Sequence, residues 1–240
     1  MSATAEIGAR LAAVRDRVRR AAERAGRSPD EIALVGVAKR KPAALVAAAA
    51  RAGLRHVGEN YVQEAIPKIL EVKEILEREG SAIPRWHFIG LLQRNKAGRV
   101  AECFDLIETV DRAPLAKALE QRAQAAGRVL DVLLQVNVSG ERQKGGIDPA
   151  ALPELLAASA AWKHLRVVGL MAIPAVETDP EASRPAFTRL RELRESLGAA
   201  AGAGALRELS MGMSADFEVA IEEGATIIRV GTAIFGPRDT

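Results

Sequence analysis

The chain has 240 residues, 48% of them hydrophobic and 27% charged, a composition that fits a soluble globular fold with a sizeable core. Lys plus Arg number 34 against 31 Asp plus Glu, a net charge of +3, and aromatics are only 3%; an excess this small, with so few stacking platforms, argues against a nucleic-acid partner. A single cysteine rules out an intramolecular disulfide within the chain and points to a reducing compartment, the cytoplasm.

Taken in chain order, residues 1–28 place Leu11, Val14 and Val18 at helical spacing, which predicts an N-terminal helix packed on the domain behind it. Glu6, Asp16 and Glu23 argue against a targeting peptide, and no long apolar stretch follows, so no membrane span is expected. Eight short apolar runs come next: 32–38, 54–58, 85–90, 105–110, 129–138, 165–173, 208–212 and 226–231. Helical patterns separate most of them, including "AALVAAAARAG", "YVQEAIPKILEVKEILEREG", "APLAKALEQRAQAAG" and "EASRPAFTRLRELRESLG", and several end in glycine, a common helix stop. "GAAAGAGALRE" (198–208) reads as a loop from helix to strand. The runs are mostly apolar without alternation, as in parallel strands covered on both faces. Eight strand–helix units with no linker predict one (β/α)8 barrel spanning 1–240, with an open doubly wound sheet as the alternative.

Barrels of this kind carry their chemistry at the C-terminal ends of the strands. The first strand ends in "VAKRKP". Alternation points Lys39 into the barrel mouth with Lys41 above it at the rim. A lysine in apolar surroundings beside a second cation is disfavoured as an ion, and a neutral amine attacks aldehydes. Water-exposed rim lysines are the plainer reading. At the far end, "SMGMSADFEVAIEEGATIIRVGTAIFG" (210–236) supplies the loops after strands 7 and 8, where such barrels often bind phosphate. Ser214 stands before a helix as a candidate cap and anion neighbour. Gly231 and Thr232 open the turn after strand 8, and Arg229 shares the face of Gly231, so it looks inward for a structural or ligand partner. A reactive lysine, a phosphate cradle and an inward arginine suggest pyridoxal 5′-phosphate (PLP). Cys103, in "VAECFDLI", reads as a buried inert thiol. His56, His87 and His164 lack ligand spacing, so no metal is expected, and there is no nucleophile elbow or P-loop motif.

"VGVAKRKP", "HVGENYVQEAIPKI", "WHFIGLLQRNK", "LLQVNVSGERQKGGI", "GLMAI" and "LSMGMSADFEVAIEEGATIIRVGTAIFG" occur in this order, and together they resemble the pyridoxal phosphate homeostasis protein family from strand 1 to the C-terminus. The resemblance implies a single barrel like the N-terminal domain of alanine racemase, with bound PLP, an intracellular role in PLP storage and delivery, no robust catalysis, and a monomer. It puts the family's imine lysine on Lys39, preceded by Ala38 where the family often has serine. The second lysine of that stretch falls on Lys41, and a further lysine proposed to help move PLP falls on Lys144. The phosphate residues fall on Ser214, Gly231 and Thr232, and the ring-nitrogen arginine on Arg229. Asn60, His87 and Met171 fall at strand ends near the ring. Each has a plainer role available: Asn60 as a helix cap, His87 as a satisfied core histidine, Met171 as barrel packing. PLP would be the small-molecule partner, with transient contact to apo PLP-dependent enzymes as the expected protein encounter. An amino-acid racemase is the rival function, but the chain offers Tyr61 alone as a tyrosine base, at a predicted helix start, and no length for a second domain. A Schiff-base aldolase is a third possibility, and it would carry no PLP chromophore.

Overall fold

The barrel follows from where each strand buries its two faces. The computed structural model describes residues 3–141, 145–175, 178–201 and 206–237. In chain order, α1 (Ala3–Arg24) leads to β1 (Ala33–Val37), α2 (Ala43–Arg51), β2 (His56–Glu59), α3 (Val62–Arg78) and β3 (Arg85–Phe88). Then come α4 (Ala97–Cys103), β4 (Leu106–Val110), α5 (Ala113–Ala125), β5 (Leu130–Gln135), α6 (Leu152–Ser159) and β6 (Leu165–Met171). The chain closes with α7 (Arg184–Ala201), β7 (Glu208–Ser210), α8 (Phe217–Glu222), β8 (Ile227–Val230) and α9 (Thr232–Phe235). The eight strands are all parallel and pair in sequence order, and β1 pairs with β8 to close the barrel. The open-sheet alternative is thereby excluded.

One face of each strand packs on the helices, where Val57, Phe88, Ile107, Leu134, Leu170 and Ile228 belong to the large buried layer between barrel and helices. The other face fills the barrel interior, where Ala33, Val35, Leu106, Leu133, Val168, Met171 and Ile227 form a second, smaller apolar cluster. The interior is not apolar all round. His87, Glu108, Ser210 and Arg229 are also buried, and groups of this kind are kept in an interior only when they pair with one another.

The N-terminal helix buries Ile7, Leu11, Val14, Val18 and Ala21, an i, i+4, i+7 stripe that lies against α2, α8 and α9. These helices flank the β8–β1 seam. Arg17 fixes α1 further, with a two-pronged ion pair to Glu218 at 3.2 and 3.0 Å and its guanidinium 4.5 Å above the Phe217 ring.

Several expected boundaries shift. The run 129–138 gives a strand only to Gln135; Val136 still donates to the Met171 carbonyl at 2.8 Å but pairs on its other side in an isolated bridge with Ile147. Residues 198–201 continue α7 instead of starting a loop, Gly198 notwithstanding. Helix α4 was not expected. It is short and contains Gly98, and its burial rests on Ala97, Val100 and Ala101 alone.

Candidate functional site

Lys39 follows the C-terminal end of β1. Val35 lies in the interior cluster, so Val37 continues its face. β1 ends at Val37, and Lys39 is half-buried in the following turn. The last backbone bond to β2 runs from the Ala38 N–H to the Gly58 carbonyl at 2.9 Å. Lys41 does not sit above Lys39. Arg40 adopts φ 59, which ends the alternation, and buried Lys41 turns outward to donate from Nζ to the Pro237 carbonyl at 2.6 Å. Lys41 is thus tied to the C-terminal segment beside α2, not at the rim above Lys39. Lys144 lies outside the described residues.

The phosphate candidates converge. The Gly231 amide donates to Ser214 Oγ at 3.2 Å, so the loops after β7 and β8 touch through these two residues. Ser214 is not the cap of α8. Asp216 stands at that position and accepts from Met213 N and Ser183 Oγ. Gly231 precedes the first residue of α9, Thr232, which is exposed. Among the described residues, a Cβ on Gly231 would meet only Val37, at 3.5 Å. Its bareness leaves room on the mouth side.

Arg229 faces inward, as its parity with Ile227 requires, and it is buried. Its Nη1 donates to Ser210 Oγ at 2.5 Å and its Nη2 to the Ala172 carbonyl at 2.8 Å, with Glu108 Oε2 3.8 Å away. Ser210 Oγ in turn donates a hydrogen bond to Glu108 Oε2 at 2.5 Å. The other carboxylate oxygen meets His87 Nδ1 at 2.6 Å, and His87 Nε2 meets His56 Nδ1 at 3.0 Å. A carboxylate only accepts, so Nδ1 of His87 carries the proton. Burial alone would push Glu108 up, but His87, Arg229 and Ser210 hold its carboxyl below the usual range. Burial lowers the Arg229 guanidinium against the pull of Glu108 and Asp216. Burial and His87 together bring His56 down to about 4.

The three expected ring contacts part company. His87 belongs to this buried chain, and Met171 is enclosed in the apolar barrel layer. Asn60 precedes the α3 cap, Tyr61, and its Oδ1 is buried with no hydrogen-bond partner among the described residues. A buried amide oxygen without a donor, in the segment that follows β2, fits a polar ligand at that end of the barrel. Sequence reasoning missed Glu108 and Ser210. The available signal was a carboxylate inside the otherwise apolar run "DLIETV", on the inward parity of Leu106. Cys103 is half-buried and burial pushes its thiol up, as an inert sulfur requires.

A family model described as alanine racemase, N-terminal domain, matches residues 9–239. A pyridoxal phosphate homeostasis protein of Pseudomonas aeruginosa is 46% identical over 239 residues, covering 100% of this chain and 97% of that protein. The chain belongs to the pyridoxal phosphate homeostasis protein family. A second member, from Escherichia coli strain K12, is 45% identical over 98% of this chain and 97% of its own length. Among solved structures, PipY of Synechococcus elongatus PCC7942 with PLP bound matches with a TM-score of 0.82 at 37% identity, covering 96% of this chain and 100% of its own. Family membership accounts for the barrel and for the order of the motifs. No described helix is long and apolar enough to cross a membrane.

Proposed function

We propose that this protein binds PLP at the barrel mouth and serves PLP homeostasis by holding and releasing the cofactor. The observation that carries this is PLP in the PipY barrel, a family relative matched over 96% of this chain. PLP supplies an aldehyde, which a neutral amine attacks with loss of water. Lys39 is the amine of choice, since it follows the C-terminal end of β1. Ser214, Gly231 and Thr232 hold the phosphate, with the Gly231–Ser214 contact joining their two loops. Arg229 faces the ring nitrogen. It is anchored by Ser210, Ala172 and Glu108, and an arginine does not surrender its proton, so the ring nitrogen stays unprotonated and the ring withdraws electrons weakly. Racemases of this fold tolerate such a ring, so the carrier reading rests instead on the lack of a credible second acid/base opposite Lys39. Asn60 Oδ1 awaits a donor from the ligand side.

The working compartment is the cytoplasm, the protein acts as a monomer, and apo PLP-dependent enzymes are the transient recipients. Lys144 assists entry or exit of the cofactor. Lys41, being tied to Pro237, contributes to this less directly. Mass spectrometry of the small molecule released from purified protein by mild denaturation tests the proposal. PLP is expected, in up to one equivalent. A phosphorylated sugar, or protein that fails to take up added PLP, contradicts it.

A further inference from the structure

Behind Lys39, on the helix side of the barrel wall, a buried cation grips the turn. Lys68 of α3 is buried, and its Nζ donates to the Ala38 carbonyl at 2.8 Å, to Glu59 Oε1 at 2.7 Å and to Glu64 Oε1 at 2.7 Å. An ammonium has three donors, and all three are used. Glu64 Oε1 also accepts the backbone N–H of Arg40. The Ala38 carbonyl belongs to the peptide plane that enters Lys39, and the Arg40 N–H belongs to the plane that leaves it. One plane sets φ of Lys39 and the other sets ψ, so a single ion cluster fixes both. It also holds Arg40 at φ 59, the left-handed region that a non-glycine residue enters at a cost. The Ala38 N–H is bound as well, to the Gly58 carbonyl at 2.9 Å, and the Lys41 N–H closes the turn on the Ala38 carbonyl at 3.0 Å.

We infer that Lys68 and Glu64, supported by Glu59, are positioning residues that lock the backbone of Lys39 and so aim its amine at the aldehyde. This rests on the PLP proposal for the same site. A purely structural role explains the cluster poorly. Burying a cation against a buried carboxyl group is an inefficient source of stability, and well-packed apolar residues in their place are often neutral or better. Here the buried groups spend their hydrogen bonds on the two peptide groups flanking one lysine. Glu59 Oε2 is buried without a partner among the described residues, which marks its other oxygen, the one on Lys68, as the atom in use.

The test compares Glu64→Ala and Glu64→Gln with wild type, because Glu64 is partly exposed and its loss leaves the core intact. Lys68→Met paired with Glu59→Gln is the second variant, chosen to leave no unpaired buried charge. Each is saturated with PLP, and total bound PLP is read separately from the fraction that borohydride traps on Lys39. Glu64→Ala should hold PLP through its phosphate, yet attach it to Lys39 about tenfold less favourably, the loss expected from one charge-assisted hydrogen bond. Glu64→Gln, whose amide oxygen still accepts from Arg40, should recover most of it. In the apo protein, hydrogen exchange at the Arg40 amide should accelerate in Glu64→Ala, and acylation of Lys39 by an amine-selective reagent should change its rate and pH profile. Attachment and Lys39 reactivity equal to wild type in folded Glu64→Ala and in the double variant overturn the positioning role. If wild-type protein traps no PLP on Lys39, the PLP proposal fails by itself, and the apo acylation rates still decide the positioning role.

Discussion

Glu108 is an acid sealed from water, and three groups depend on it: Arg229, Ser210 and His87. Removing one member of a buried charge set leaves the others uncompensated, at a cost of roughly 3–5 kcal/mol. Glu108→Ala should therefore lower the unfolding free energy in urea by about that amount, and Glu108→Gln by less, since its amide oxygen can still accept. At the phosphate end, Ser214→Ala removes the acceptor of the Gly231 amide and a candidate phosphate donor. One charge-assisted hydrogen bond is worth roughly 1.5–3 kcal/mol, so a PLP titration should show affinity weakened about tenfold or more. Unchanged affinity would move the phosphate elsewhere. The inward turn of Arg229 was legible in the sequence because parity along a strand is a local rule. Glu108 was not, because its meaning depends on three other strands arriving at the same level, which no local pattern encodes. Lys41 misled for a related reason: parity holds only while the strand lasts, and φ 59 at Arg40 ends it.

Among the elements, the crossing of the segments after β2 and β3 is the tightest near the site. A Cβ on Gly90 would lie 2.0 Å from the Asn60 carbonyl oxygen, and a backbone atom cannot rotate aside. Gly90→Ala should force Asn60 away from the mouth. We expect a loss of about 1–3 kcal/mol in stability, typical of overpacking, together with weaker PLP binding at temperatures where the variant is folded. Wild-type affinity in that variant would remove Asn60 from the site. The strands were legible as unalternating apolar runs, and their number predicted the closed barrel. Their ends were less so. β5 stops at Gln135, where Val136 enters an isolated bridge with Ile147, and α4 forms in a segment with only small apolar residues, stabilised by packing and not by periodicity.

The whole molecule stores a pH response beside the site. Burial, only partly offset by Lys68, raises Glu59 from 4.5 to about 7. Between those values the folded chain holds a proton that the unfolded chain has released, so this group's contribution to stability is full at low pH and is lost as pH rises toward 7. Glu59→Gln, which keeps an acceptor for Lys68, should gain on wild type across that window by on the order of 3 kcal/mol, read as the difference between urea midpoints converted to free energy. His56, lowered from 6.5 to about 4, works the other way: its contribution is lost as pH falls through that range. A difference between wild type and Glu59→Gln that does not vary with pH would mean that Glu59 ionises normally in the folded chain. The central claim is that this barrel carries PLP on Lys39, and it is tested most directly by borohydride reduction of the PLP-loaded protein followed by peptide mapping. The pyridoxyl group should be found on the peptide bearing Lys39 and should vanish in Lys39→Ala, even though that variant keeps its phosphate loops. A label on Lys41, Lys68 or Lys144, or no label on a protein shown to contain PLP, would contradict it.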